Sequence, residues 1–595
     1  MAFLRYAALL GYASAVAAQP LDRHESVIVT GSWEPVPLEE ADRTVRSLDV
    51  RALRLVSSTF ADFLRLDSSL DLRQRSPNAI QGDLSIRGST FGQTLVLLNG
   101  LRLNDVQSGH HNLDIPVPIE AVDRIEILRG SGSTLYGSDA VGGVVNVITR
   151  KPETSEMRLR TAAGSWGTNE QRGVLTIRAN AFSQQLSFAR DFSTGFVPNR
   201  DYRNLSAASV TGFASRLGQT ELTLAHNDRP FGAERFYGNF SSWERTKGWF
   251  AALRQNLGAR TQAALAFRRH TDLFVLHRYR PELYTNRHAV ESWQITLRRL
   301  DALATNTRIY WGGEALRDAI DSNNLGGHDR ARGAAYVALD ARALRRFSFN
   351  AGVRDEVWGS ANHVVSPSFS GGFWILPVFR VRASASRAFR LPTYTDLYYR
   401  DPANAGSPHL RPERAWNYEA GIDWSRGSYL RAGVTVFHRR ERDGIDYVRR
   451  SPAEIWTARN FQRLEFTGVE ASAAARLYGS QSLELQYTAL HGAQNALAGY
   501  QSKYVFNYPV HAGLASWHTI LPRDILVRVR AGALERVQRD PYGVVDAYAA
   551  RARGNVRPFV HVTNLTGTAY EEIAGVAMPG RGIVAGIELL IFSSR

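Results

Sequence analysis

The sequence predicts an all-β membrane protein that crosses the bilayer as a closed sheet. Three observations carry this. A short apolar stretch follows a positive charge at the very start of the chain, no later run of eighteen apolar residues exists, and polarity alternates with period two over most of the remaining length. The first is the pattern of a secretion signal, the second leaves no transmembrane helix, and strands of a closed barrel are the other way to satisfy backbone polar groups in lipid.

In the signal, residues 1–18, Arg5 supplies the charge and Tyr6 to Val16 the apolar core. Cleavage is expected after Ala17 or Ala18. The chain has 595 residues and a formal charge of +16, from 72 basic and 56 acidic side chains. Its arginines are scattered through strand-like regions and form no basic block, which argues against nucleic acid and suits anionic headgroups or a polar lumen. Zero cysteines exclude disulfides and thiolate metal sites.

Between 19 and 58, residues Glu25, Ser26, Val27, Ile28, Val29 and Thr30 form an isolated β-forming segment flanked by Pro20, Pro35 and Pro37, with no sequential partner. Residues 60–64 (FADFL) suit a short amphipathic helix. From 84 to 150 short apolar strands alternate with glycine turns. Asn99-Gly100 is a hairpin signal after Leu95–Leu98, residues 124–129 alternate charge with Ile125 and Ile127, and 144–148 is β-branched. Two nucleotide motifs fail here. Leu135 stands where a dinucleotide loop needs its third glycine, and Ser138 where a phosphate loop needs lysine.

Polar loops at 73–83 and 104–114 interrupt these strands. In the second, NDVQSGHHNLD, His110 and His111 could serve as metal ligands. Neighbours on an extended chain point to opposite faces and no third ligand is near in sequence, so no metal site is assigned. From about 157 onward the alternation sets in. Leu483, Leu485, Tyr487 and Ala489 interleave with Ser482, Glu484, Gln486 and Thr488, and Val434 and Val436 with Gly433 and Thr435. Aromatics at 10% suit interfacial girdles. No nucleophile–base pair or paired carboxylate stands in a recognisable motif, so catalysis is not expected.

IRG at 86–88, LLNGLRLND at 97–105, VDRIEILRG at 122–130 and LYGSDAVGGVVNVIT at 135–149 together resemble the plug domain of TonB-dependent outer-membrane receptors. FRLPTYTDLYYRDPANAGSPHLRPERAWNYEAG at 389–421, NFQRLEFTGVEASA at 460–473 and the stretch 562–589 resemble barrel segments of the same family. The resemblance covers about 25–592. It implies an α+β plug (59–152) inside a 22-stranded antiparallel transmembrane barrel (153–595), in the outer membrane after signal removal. About 20 residues are then available per strand, enough for a span and a turn.

The resemblance further implies roles. Residues 25–30 become the TonB box, which adds as a strand to TonB, itself energised by an inner-membrane complex. One arginine from each of two plug strands, Arg87 and Arg129, is expected to meet barrel Glu419 and Glu470. The GHHNLD wording and FGAERFYG at 231–238 resemble the BtuB-like cobalamin transporter branch, so the expected cargo is a corrinoid, with a ferric siderophore or haem as the alternative and a passive porin or structural outer-membrane barrel as the alternative of another class. Expected ligand contacts are Ser76, Asn78, His110, His111, Asn112, Phe236, Tyr237 and Tyr398. Other expected partners are membrane lipid and lipopolysaccharide, with the chain a monomer. No cofactor is implied beyond Ca2+ in outer loops, for which no dense aspartate cluster is seen. The family usually ends on phenylalanine, whereas Phe592 here is followed by Ser-Ser-Arg. Strict alternation from Ile583, Ala585, Ile587, Leu589 and Ile591 would put Phe592 on the lumen face, which leaves barrel assembly in question.

Overall fold

The computed structural model describes residues 27–33, 35–344, 346–359, 362–427, 429–461, 463–493 and 499–594. The signal at 1–18, Glu25 and Ser26 lie outside them. Twenty-two antiparallel strands, from Glu156–Gly164 to Gly582–Ser593, close into a barrel when the first pairs with the last. Among the described residues no helix is long and apolar enough to cross a membrane.

The alternation has the inverted sense that lipid demands. Leu485 and Tyr487 are exposed, whereas Gln486 and Thr488 between them are buried. Val434 and Val436 face out around a buried Thr435. Apolar side chains therefore meet the membrane and polar ones the lumen, as a barrel requires. Short turns at 180–181, 216–217 and 305–306 close one end, and long connections such as 391–412 stand at the other.

The lumen is filled by the N-terminal part. Its five-stranded sheet runs in the order Val45–Asp49, Val122–Arg129, Gly143–Thr149, Thr94–Leu98, Leu101–Arg102, with one parallel pair, Thr94–Leu98 beside Gly143–Thr149. Asn99 (φ 52°) and Gly100 (φ 82°) both take positive φ, the geometry of a type I′ hairpin. Phe60–Leu64 is helical, with Thr59 and Asp62 forming a reciprocal capping box. The plug core of Phe63, Leu84, Ile86, Val96, Ile125, Ile127 and Val147 continues into lumen-facing Ala208, Ala225, Ala252, Ala264 and Ala266. Small side chains there let the sheet approach the wall.

Two expectations need correcting. The 25–30 segment is not unpaired, because Val27 and Ile28 pair with Pro37 and Val36 across the intervening turn. Nor does Phe592 follow strict alternation. Arg158 pairs with Leu590 and Met157 with Phe592, so one extra residue bulges at this point. The bulge reverses parity and puts Phe592 opposite outward-facing Met157, with 44% of its surface exposed.

Candidate functional site

At the short-turn end the N-terminal segment is tied to the plug by one carboxylate. Glu126 lies on Val122–Arg129 and is fully buried. Its Oε2 accepts from Val29 N (2.8 Å), Thr30 N (2.8 Å) and Thr30 Oγ1 (2.6 Å), while Oε1 accepts from Arg124 Nε (2.8 Å). Tyr136 Oη donates to the carbonyls of Val29 and Thr30, and Asn146 Nδ2 to Thr30 Oγ1. Trp33 stacks on barrel Tyr310 and Tyr336. These are side-chain clamps on main-chain groups, so the segment can leave without unravelling a sheet beyond its pairing at 36–37.

In mid-lumen an ion network joins plug to wall. Arg87 donates Nε to Glu470 Oε1 (2.7 Å), Nη2 to Glu470 Oε2 (2.9 Å) and Nη1 to Glu419 Oε2 (2.9 Å). Arg129 donates to Glu470 Oε2 (3.0 Å) and to Asp67 Oδ2 (2.7 Å), and Arg43 to Glu419 Oε1 (3.2 Å). All six side chains are nearly excluded from solvent. Burial works against the charge of Arg87 and Arg129, but the facing carboxylates win and hold both above the usual arginine value. Asp67 is pushed up by burial and pulled further down by Arg129 and Arg46, to about 2. Arg43 and Asp67 carry no family motif and were invisible in sequence. Arg46, 3.9 Å from Asp67, is answered by barrel Glu484, so four arginines against four carboxylates leave the network neutral, the condition under which buried charge is tolerated.

The rest of the interface repeats the theme with the signs mostly reversed. Plug Asp71 pairs with barrel Arg536, Asp105 with Arg268, Asp114 with Arg229 and Glu120 with Arg172. These four barrel arginines are thus lumen residues facing plug acids.

At the long-loop end the expected ligand residues do not form one surface. Ser76 is buried, and Asn78 donates to barrel Asp191 (3.2 Å). Ile80 packs with Phe236, Phe231 and Tyr202, while Gln81, Tyr237 and Glu244 are mutually hydrogen-bonded. Asn112 is turned into its own loop, accepting from Asp105 N and donating to Phe91 O. Tyr398 stacks on His328 (3.8 Å), apart from the others. A cavity of about 150 Å³ lies beside Ser76 and Asn78, lined also by Phe196, Tyr202, Tyr570 and Met578.

His110 and His111 diverge. His110 stacks on Phe91 (4.2 Å), meets the edge of Tyr504 and holds Asp83 Oδ1 at 2.6 Å, and burial lowers its pKa. His111 is buried against the wall. Desolvation opposes its charge, but Asp272, Glu244 and Asp114 raise its pKa to about 10. Further potential ligands do stand close to it, contrary to the sequence expectation, because the barrel supplies His270, Asp272 and Glu244.

Outer segments add a four-stranded roof of Asn404–Ala405, Trp456–Phe461, Gly444–Arg449 and Gln501–Ser502. Asp446 anchors it, accepting from Tyr447 N, Tyr504 N and Val505 N. Burial raises the pKa of Asp446 to about 6 against those bonds. On this roof Arg449 lies over Trp456, Arg450 and Arg459 over Tyr500, and Lys503 over Tyr447 and Tyr504. This cationic–aromatic group had no motif to announce it.

A family model described as TonB dependent receptor-like, beta-barrel, matches residues 129–565, and one described as TonB-dependent Receptor Plug Domain matches 37–144. The vitamin B12 transporter BtuB of Vibrio vulnificus is 25% identical over 442 residues, 70% of each chain. The iron-regulated outer membrane virulence protein of Vibrio cholerae is 26% identical over 502 residues, 73% of this chain and 74% of its own. Among solved structures, a ferric enterobactin receptor (PfeA) mutant from Pseudomonas aeruginosa superposes with a TM-score of 0.76 at 15% identity, over 92% of this chain and 98% of its own. The FrpB iron transporter of Neisseria meningitidis does so at 0.76 and 14%, over 92% and 99%. Likeness at that identity speaks for the fold alone.

Proposed function

The chain belongs to the TonB-dependent outer-membrane receptors, and from that membership we propose that it binds a corrinoid of the cobalamin class outside the cell and releases it into the periplasm. The observation that supports this cargo is the similarity to a vitamin B12 transporter over 70% of both chains. The two stretches that suggest that branch, 104–114 and 231–238, also lie at one end of the lumen, where Phe236 and Tyr237 touch Ile80 and Gln81 of the plug.

In this reading ligand settles between the outer segments and the plug loops. Occupancy weakens the hold of Glu126 on Val29 and Thr30. Residues 25–30 then pair as a strand with TonB, for which main-chain groups and an extended backbone suffice. A pull driven by the inner-membrane proton gradient shifts the plug, whose polar ion-paired interface can rearrange where an apolar one would fuse to the wall. The plug filling the lumen argues against a passive porin.

A second reading has its own support. The roof cluster of Arg449, Arg450, Arg459 and Lys503 among Trp456, Tyr447, Tyr500 and Tyr504 suits an anionic aromatic ferric chelate. Equilibrium binding on purified protein, cyanocobalamin against a ferric catecholate, separates them. Tight binding of cyanocobalamin is expected. Saturable binding of the catecholate alone would replace the first reading with the second.

A further inference from the structure

We propose that His111, Asp114 and His270 form a site for a borderline divalent cation of the Zn2+ class, clamped between the plug and the barrel wall. It is independent of which cargo is carried.

The residues come from two elements. Asp105, His111 and Asp114 belong to the plug loop 104–114. His270 and Asp272 lie two apart on barrel strand Thr261–Val275, so both point into the lumen. Asp114 Oδ2 stands 3.1 Å from His270 Nε2 and 3.8 Å from His111 Nδ1, and the three ligand atoms lie within 4.8 Å of one another. A tetrahedral zinc site, with bonds near 2 Å, places its ligand atoms about 3.3 Å apart.

The outer nitrogens and oxygens make the case specific. Ligating histidines characteristically present their second nitrogen to a carboxylate, which fixes the tautomer and turns the free lone pair toward the metal. Both histidines have a carboxylate near that nitrogen: His270 Nδ1, buried and without a hydrogen-bond partner, is 2.8 Å from Asp105 Oδ2, and His111 Nε2 is 3.4 Å from Asp272 Oδ2. The third ligand, Asp114, is held through its other oxygen by Arg229. Asp105 is held in turn by Arg268 (2.9 Å), and Asp272 by Gln107 Nε2 (2.9 Å). Asp114 thus arrives held, and each histidine has an outer carboxylate to turn toward.

The charge balance points the same way. Asp105 and Asp114 have arginine partners, but among the described residues Asp272 and Glu244 have no lysine or arginine within ion-pair distance. Asp272 Oδ1 is buried and has no hydrogen-bond partner. Asp272 is thus a buried carboxylate without a lysine or arginine partner, and a cation held at His111 would lie beside it. Two imidazole nitrogens with one carboxylate favour zinc over calcium, which prefers an all-oxygen shell. Such an ion would tie the 104–114 loop to the wall.

The test uses full-length protein in detergent, stripped with a chelator, dialysed and titrated with Zn2+, Co2+ or Ca2+. Bound metal is counted by mass spectrometry. The proposal expects one Zn2+ per chain, a four-coordinate Co2+ visible spectrum, no competition by Ca2+, and a rise in unfolding temperature on loading. His111→Gln and His270→Gln should abolish stoichiometric binding, and Asp272→Asn should weaken it about 10–100-fold. His110→Gln, whose ring faces Asp83, should leave metal binding intact. Should the ligand variants fail to fold, the Co2+ spectrum of the parent protein and the Asp272→Asn affinity still decide. Absence of stoichiometric Zn2+, or binding unchanged in folded His111→Gln, would overturn the proposal and leave a histidinium paired with Asp272 and Asp114.

Discussion

Replacing Glu126 with Gln should release the N-terminal segment without ligand. Three donors converge on the single oxygen Glu126 Oε2, from Val29 N, Thr30 N and Thr30 Oγ1. Hydrogen bonds to a charged acceptor contribute about 1.5–3 kcal/mol each, and neutral ones about 0.5–1.5. Neutralising the acceptor thus weakens each bond by about 1 kcal/mol, or about 3 kcal/mol for the three together. That is about a 100-fold shift toward the released state. The donors it frees can meet water once the segment leaves, so no buried penalty offsets the gain. The chain has no cysteine, so a spin label at Ser26→Cys reports this segment alone. Glu126→Gln should raise the mobile fraction of the label and tighten binding of a soluble TonB fragment in the same proportion. A label spectrum and a TonB affinity both unchanged from the Glu126 parent would refute the view that this carboxylate is the latch.

Glu470→Gln strips charge from an acceptor of three arginine bonds and should cost the plug about 3–5 kcal/mol. A double-mutant cycle with Arg129→Met, read by urea-dependent plug release, should show coupling; strict additivity would deny the pair. Burial holds the folded-state pKa of Asp446 at about 6, above the ordinary aspartate range, so the folded roof binds more protons than the unfolded chain between about pH 4 and 6. Its stability should rise as pH falls from 7 to 4, and Asp446→Asn should remove that gain in hydrogen exchange of 444–449 corrected for intrinsic rates. Leu485 faces lipid, so Leu485→Arg should cost about 2–4 kcal/mol if it sits at the bilayer midplane and reduce barrel assembly, as seen in heat-modifiable gel migration; a neutral result would put that face elsewhere.

Much of the architecture was legible because barrels and plugs write it locally. Period two is visible within single strands such as 482–492, and the hairpin at Asn99-Gly100 needs only two residues. Only the sense of the alternation, apolar outward, depends on the surroundings. What escaped depends on pairing across long sequence distances. Arg43 and Asp67 join the ion network only because plug and wall curve to one point. His270 reaches Asp114 from 156 positions away, so no spacing rule could have linked them. Phe592 escaped for a smaller reason, because a single bulged residue reverses parity and leaves no mark in composition. The segment at 25–30 read as unpaired because its partner at Val36–Pro37 contains a proline and is only two residues long.

The most direct test of the central claim, a plugged barrel that moves its cargo only when pulled, is accumulation of labelled cyanocobalamin by cells bearing the receptor, with and without a proton uncoupler. The account predicts that surface binding survives the uncoupler while internal accumulation stops. Accumulation that continues undiminished after the gradient is collapsed would contradict it.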